Sequence, residues 1–298
     1  MDVAEAGGDQ TWRDGWWRSR DGIRLHYRDY PGAPGGGDRV PLLCVPGLTR
    51  NARDFAALAA RLAGTRRILL VDLRGRGESG HAPDPLTYAP PVYVDDVLSL
   101  LADLGIGRVA WFGTSLGGLM AMLAALVARP VLAGVLLNDI GPVLEPEGLA
   151  RIGGYVGKRE HWPTWDDAAR AIAGTQAVAF PLYRHEDWLA MAHRTCRLDA
   201  DGRIVPDYDP RIAEPFRLPP PDPPVDLWPA LRALAGSPAL LVRGERSDLL
   251  SAATDARMAA LLPDLERVTV PDVGHAPTLD EPECIAAIDR LLARIDAG

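Results

Sequence analysis

The chain has 298 residues, 47% hydrophobic and 24% charged, which suits one large α/β domain with an insertion or two ordinary globular domains. Its net charge of −8 repels a phosphate backbone on average, so nucleic acid is not an expected partner. Three cysteines, Cys44, Cys196 and Cys284, cannot all pair, and Cys44 and Cys284 sit in apolar runs as small core residues. The opening residues, 1–8, lack the basic segment and apolar run of a signal peptide, and no apolar stretch approaches the ~18 residues of a membrane span. The expectation is a cytoplasmic protein with no membrane contact.

In chain order, residues 23–30 alternate apolar and polar, as a strand with one exposed face does. A glycine-rich turn at 35–37 follows. Residues 42–45, 68–71, 109–112 and 135–137 are short, nearly continuous apolar runs, the pattern of strands buried on both faces of a parallel sheet. Amphipathic segments at 54–63, 92–104 and 116–128 lie between them, so the order is βα alternation and a sheet with helices on both sides. The rhythm breaks after Asn138-Asp139-Ile140-Gly141-Pro142. Residues 143–231 hold helical patches, no convincing strand ladder and four tryptophans, Trp162, Trp165, Trp188 and Trp228. Proline crowds 206–229 and excludes regular helix or central strand there. Alternation then resumes with a strand at 239–242, a helix at 252–262, a strand at 267–270 and a terminal helix at 282–295. The division expected is a core of 1–142 and 232–298 carrying a cap, or lid, of 143–231.

Gly113-Thr114-Ser115-Leu116-Gly117 stands where an apolar strand turns into a helix, the context of a nucleophile elbow. Glycines flank the serine because the sharp turn brings neighbouring chain close. The serine oxygen then projects at the positive end of a helix, where the N–H of Leu116 is placed to bind an oxyanion. A serine nucleophile needs a base, itself oriented by an acid. Asp248 and His275 follow the later strands in the order Ser115, Asp248, His275, which makes them the expected acid and base. Asp139, after the strand at 135–137, is the rival acid. The loop Val45-Pro46-Gly47-Leu48-Thr49-Arg50 offers the second oxyanion donor, the backbone N–H of Leu48.

These pieces together, with Asp72-Leu73-Arg74-Gly75-Arg76-Gly77-Glu78-Ser79, resemble the α/β-hydrolase fold superfamily over nearly the whole chain. The resemblance implies a mostly parallel eight-stranded sheet flanked by helices, with a mainly helical cap inserted after the sixth strand. One departure is Pro46, where many members carry histidine; a backbone donor survives that change. Serine at the elbow, where dehalogenases and epoxide hydrolases of the superfamily have aspartate, implies acyl transfer to water from a small-molecule ester or lactone. Carbon–carbon bond hydrolysis and cofactor-free perhydrolysis on the same triad are alternatives, as is a small-ligand receptor on the same scaffold.

Two further patterns carry no such chemistry. Gly75 to Gly80 matches G-x-G-x-x-G, but His81-Ala82-Pro83-Asp84-Pro85 follows and no helix N-terminus is available for a pyrophosphate. His161, His185 and His193 lack metal-ligand spacing. No cofactor and no metal are expected. The basic residues Arg151, Lys158, Arg159, Arg184 and Arg194 read as a solvated face of the insertion.

Overall fold

The computed structural model describes residues 11–32, 39–218, 223 and 225–298. The opening segment at 1–8, the glycine turn at 35–37 and part of the proline-dense stretch lie outside the described residues. The chain begins with β1 (Arg13–Arg18) and β2 (Arg24–Tyr30), then alternates through β3 (Leu42–Val45), α1 (Ala56–Leu62), β4 (Ile68–Asp72), α2 (Pro90–Asp103), β5 (Val109–Thr114), α3 (Leu116–Val127) and β6 (Leu132–Asn138). Between β6 and the next sheet strand, where an insertion at 143–231 is expected, come α4 (Pro146–Gly153), α5 (Trp165–Gln176), α6 (His185–Thr195), the short strands β7 (Cys196–Leu198) and β8 (Ile204–Pro206), and α7 (Trp228–Arg232). The core closes with β9 (Ala239–Gly244), α8 (Ala252–Leu261), β10 (Leu265–Val270) and α9 (Pro282–Ala297).

Eight strands form one sheet in the order β1-β2-β4-β3-β5-β6-β9-β10. β2 runs antiparallel to β1 and β4, and the pairings from β4 through β10 are parallel. The apolar runs follow from the pleat, which points successive side chains to opposite faces. Leu43, Leu69, Trp111, Val135 and Leu241 face the layer of α2, α3 and α8. Their neighbours Leu42, Leu70, Phe112, Leu136 and Leu240 face α1 and α9. Both faces are covered, so both alternate sets must be apolar. In α9 the buried residues Cys284, Ala287, Ile288, Leu291, Leu292 and Ile295 recur at helical spacing, each large one contributing about 1.5–3 kcal/mol on burial.

Three strands escape a reading of periodicity. β1 is an edge strand with mostly exposed side chains, so it lacks an apolar pattern. Strands β7 and β8 have three residues each and pair antiparallel, too short for a two-residue period to register. The insertion carries its own small core, in which Trp188, Phe180, Met191, Ala168 and Cys196 are buried and against which Trp162 and Trp165 pack. Trp228 instead belongs to the main core. All three cysteines are buried and unpaired. Among the described residues, no helix is long and apolar enough to cross a membrane.

Candidate active site

The turn from β5 into α3 holds Ser115 at φ 52° and ψ −113°, a left-handed value rare for a residue with a side chain. Its neighbours leave no alternative to glycine. A Cβ on Gly113 would stand 2.2 Å from the Gly117 carbonyl carbon, and one on Gly117 would stand 2.0 Å from the Val45 carbonyl oxygen. The turn is pinned across the sheet, since Ser115 N–H donates to the Asn138 carbonyl (2.9 Å). It is pinned from within by Trp111 Nε1–H, which donates to the Gly117 carbonyl (3.0 Å).

Beyond β10 the chain returns over the strand ends and presents His275. Its Nε2 lies 2.8 Å from Ser115 Oγ and its Nδ1 lies 2.8 Å from Asp139 Oδ2. With Nδ1–H donated to the carboxylate, Nε2 is left to accept the serine proton. The histidine loop is held from two sides. Asn138 Nδ2 donates to the Pro277 carbonyl (2.8 Å) and Gly274 N–H donates to the Ala179 carbonyl of the insertion (2.6 Å).

The carboxylate that meets His275 is Asp139 and not Asp248, a departure from the expected order. Asp139, fully buried, sits at φ 54° just past β6, a conformation that aspartate tolerates better than most residues. Its Oδ1 accepts from Gly244 N–H (2.8 Å), and its Oδ2 accepts from Ser247 Oγ (2.6 Å) as well as from His275. Asp248 does not reach the histidine ring. It forms a two-pronged ion pair with Arg151 of α4, Nη2 donating to Oδ1 at 2.8 Å and Nε to Oδ2. Burial alone would raise the Asp248 pKa; the Arg151 hydrogen bonds and charge outweigh it and hold the carboxyl below its ordinary value. The reason is steric as well as electrostatic: α4 lies directly on this loop, with Gly148 N–H donating to the Asp248 carbonyl (3.0 Å). Arg151, expected on a solvated face, is therefore committed to tying the insertion to the core. His185 pairs with exposed Asp166, and His193 stacks on Trp165.

Leu116 opens α3, so its N–H has no acceptor within the helix. Leu48, in the loop after β3, lines the same cavity as Ser115 and His275. A residue that pattern reading missed braces that loop. Arg76, fully buried in the Gly-Arg-Gly turn, donates from Nε to the Leu48 carbonyl (2.8 Å) and from Nη1 to Arg74 O (2.7 Å) and Tyr93 Oη (3.0 Å). The G-x-G-x-x-G segment thus serves as a structural loop, with Gly77 so close to Asp72 that a Cβ would stand 2.5 Å from the carboxylate.

Above Ser115 lies a cavity of about 60 Å³, and beside it a second of about 90 Å³. Both are walled by Thr49 and Arg50 of the core and by Tyr155, Gln176 and Met191 of the insertion. Among the described residues, no group of His, Cys, Asp or Glu side chains is arranged to hold a metal ion.

Known proteins resemble this chain over most of its length. Residues 42–287 match the model of the alpha/beta hydrolase family. The 3-hydroxybutyrate-oligomer hydrolase of Cupriavidus necator is 40% identical over 253 residues, covering 82% of this chain and 85% of that protein. The 2-(acetamidomethylene)succinate hydrolase of Mesorhizobium japonicum is 30% identical over 259 residues, 81% of this chain and 84% of that protein. The crystal structure of an alpha/beta hydrolase from Novosphingobium aromaticivorans superposes with a TM-score of 0.91 at 51% identity, covering 96% of this chain and 100% of that one.

Proposed function

We propose that this chain, which belongs to the alpha/beta hydrolase family, cleaves the ester bond of a small molecule through an acyl-enzyme on Ser115. The observation that carries the reading is the continuous hydrogen-bonded line from Ser115 Oγ through His275 to the buried Asp139 carboxylate, at 2.8 Å for each step. His275 takes the serine proton as Oγ attacks the carbonyl carbon, then returns it to the leaving alkoxide. Water, deprotonated by the same imidazole, splits the acyl-enzyme. Asp139 holds the ring with Nε2 toward the serine and stabilises its protonated form. The N–H groups of Leu48 and Leu116 take the oxyanion, and Arg76 holds Leu48 in place for that purpose.

The insertion at 143–231 acts as a cap, since Tyr155, Gln176 and Met191 close the cavity over Ser115. For the substrate, the name of the 40% identical relative supports a short oligoester of a small hydroxy acid. The test is an active-site titration with p-nitrophenyl acetate. Wild type should hydrolyse it with a burst or a steady rate that Ser115→Ala abolishes. Hydrolysis undiminished in Ser115→Ala removes the serine from the mechanism, and no hydrolysis by wild type removes the esterase reading.

A further inference from the structure

Among the described residues, the wall shared by the two cavities contains one cation, Arg50, and its setting has the form of a carboxylate subsite. Arg50 is partly buried, and its Nη1 donates to Asp54 Oδ1 (3.2 Å). That bond uses only one corner of the guanidinium. Nε and Nη2, the edge that matches a carboxylate with two parallel bonds, have no acceptor among the described residues and are not sealed from solvent. Asp54 lines the inner cavity with Arg50, and Glu160 lines the outer one, which Arg50 also borders, so the open edge of Arg50 is the place in this cleft where an anion is attracted.

The residue between the arginine and the serine supplies a second observation. Gly47 does not need to be glycine for backbone reasons: its φ is not in the left-handed region, and a Cβ there would meet its neighbours only at ordinary contact distance. That Cβ would stand 3.6 Å from Ser115 Cβ and 3.7 Å from Arg50 Cγ, so what the glycine preserves is the empty floor linking the two side chains. A substrate lying on that floor places its scissile carbonyl at Ser115 and a charged group only a few bonds away at Arg50.

We infer that Arg50 binds the free carboxylate of the substrate's leaving half, so that the enzyme acts on esters of small hydroxy acids whose carboxylate is unblocked and cuts the ester bond next to that end. This rests on the hydrolase reading above. In the reaction, water adds its hydroxyl to the acyl carbon and a proton to the released alkoxide, and the carboxylate at Arg50 passes unchanged into the product hydroxy acid.

The test compares 3-acetoxybutanoate with its uncharged counterpart 3-acetoxybutanamide, on wild type, Arg50→Lys and Arg50→Gln, with Tm measured for each. Wild type is expected to favour the carboxylate by about tenfold or more in kcat/KM, carried mainly by KM because the contact is present in ground and transition states alike. In Arg50→Gln the ratio falls to about one, and Arg50→Lys, which keeps the charge and loses the fork, lies between. Equal use of the two substrates by wild type overturns the proposal, as does hydrolysis of neither by an enzyme active on p-nitrophenyl acetate. A preference that survives in folded Arg50→Gln also overturns it, since another group then reads the carboxylate. Failure of the hydrolase reading is separate: it shows as p-nitrophenyl acetate hydrolysis that Ser115→Ala leaves intact.

Discussion

Replacing Asp139 by asparagine tests the acid most directly, because the structure leaves an amide no satisfactory pose. The Oδ2 position receives two donors, His275 Nδ1–H and the Ser247 hydroxyl, and the Oδ1 position receives the Gly244 N–H. An NH2 at Oδ2 opposes the imidazole N–H and favours the tautomer that points a proton at Ser115; an NH2 at Oδ1 opposes a backbone N–H that cannot turn away. Either pose loses the negative charge that stabilises the imidazolium. The expected loss is about 10³–10⁴ in kcat, or about 4–5.5 kcal/mol of transition-state stabilisation. Asp248→Asn removes half of the Arg151 ion pair, costing about 1–3 kcal/mol of stability, while kcat stays within about tenfold of wild type. Steady-state hydrolysis of p-nitrophenyl acetate by both variants, with Tm alongside, separates the two roles. Asp248→Asn as inactive as Ser115→Ala, beside an Asp139→Asn that keeps most of its activity, would refute the reasoning.

Gly117→Ala drives a methyl to 2.0 Å from the Val45 carbonyl oxygen, which is backbone and cannot rotate aside. A stability loss of about 3 kcal/mol or more is expected by denaturant titration; a loss under 1 kcal/mol would mean the elbow is looser than described. His26 gives a pH signature, its ring nitrogens lying 2.7 Å from Asp72 and 3.0 Å from Asp14. Burial pushes its pKa down, but the bonds and charges of Asp72 and then Asp14 outweigh this and raise it above its ordinary value. The stability it contributes is therefore full below pH ~6.5 and is lost as pH rises through the elevated folded-state value. The Tm advantage of wild type over His26→Gln should shrink from pH 6 towards alkaline pH, and an advantage that grows with pH would contradict the sign.

Much of this molecule was legible in one dimension because the governing forces are local. Strands buried on both faces must be apolar at every position, so 42–45, 68–71 and 109–112 announced themselves. Ser115 was legible because the turn that exposes it tolerates only glycine at its flanks, and His275 because a strand end and a glycine precede it. The edge strand β1 and the β7–β8 hairpin were not, one lacking a buried face and the other the length for a period.

What only the tertiary structure decided is which side chains share a space. Asp139 and Asp248 both follow strands and both suit the acid on sequence grounds. The sheet order puts β6 between β5 and β9, so Asp139 emerges buried between the serine turn and the histidine loop. The insertion then lays Arg151 on Asp248 and claims it. Arg76 beneath Leu48 and Arg50 beside Gly47 gained their places in the same way, through contacts between segments that no sequence period relates. Periodicity determines which face of an element is buried, but a site depends on which elements lie side by side, and that is set by packing across the whole sheet.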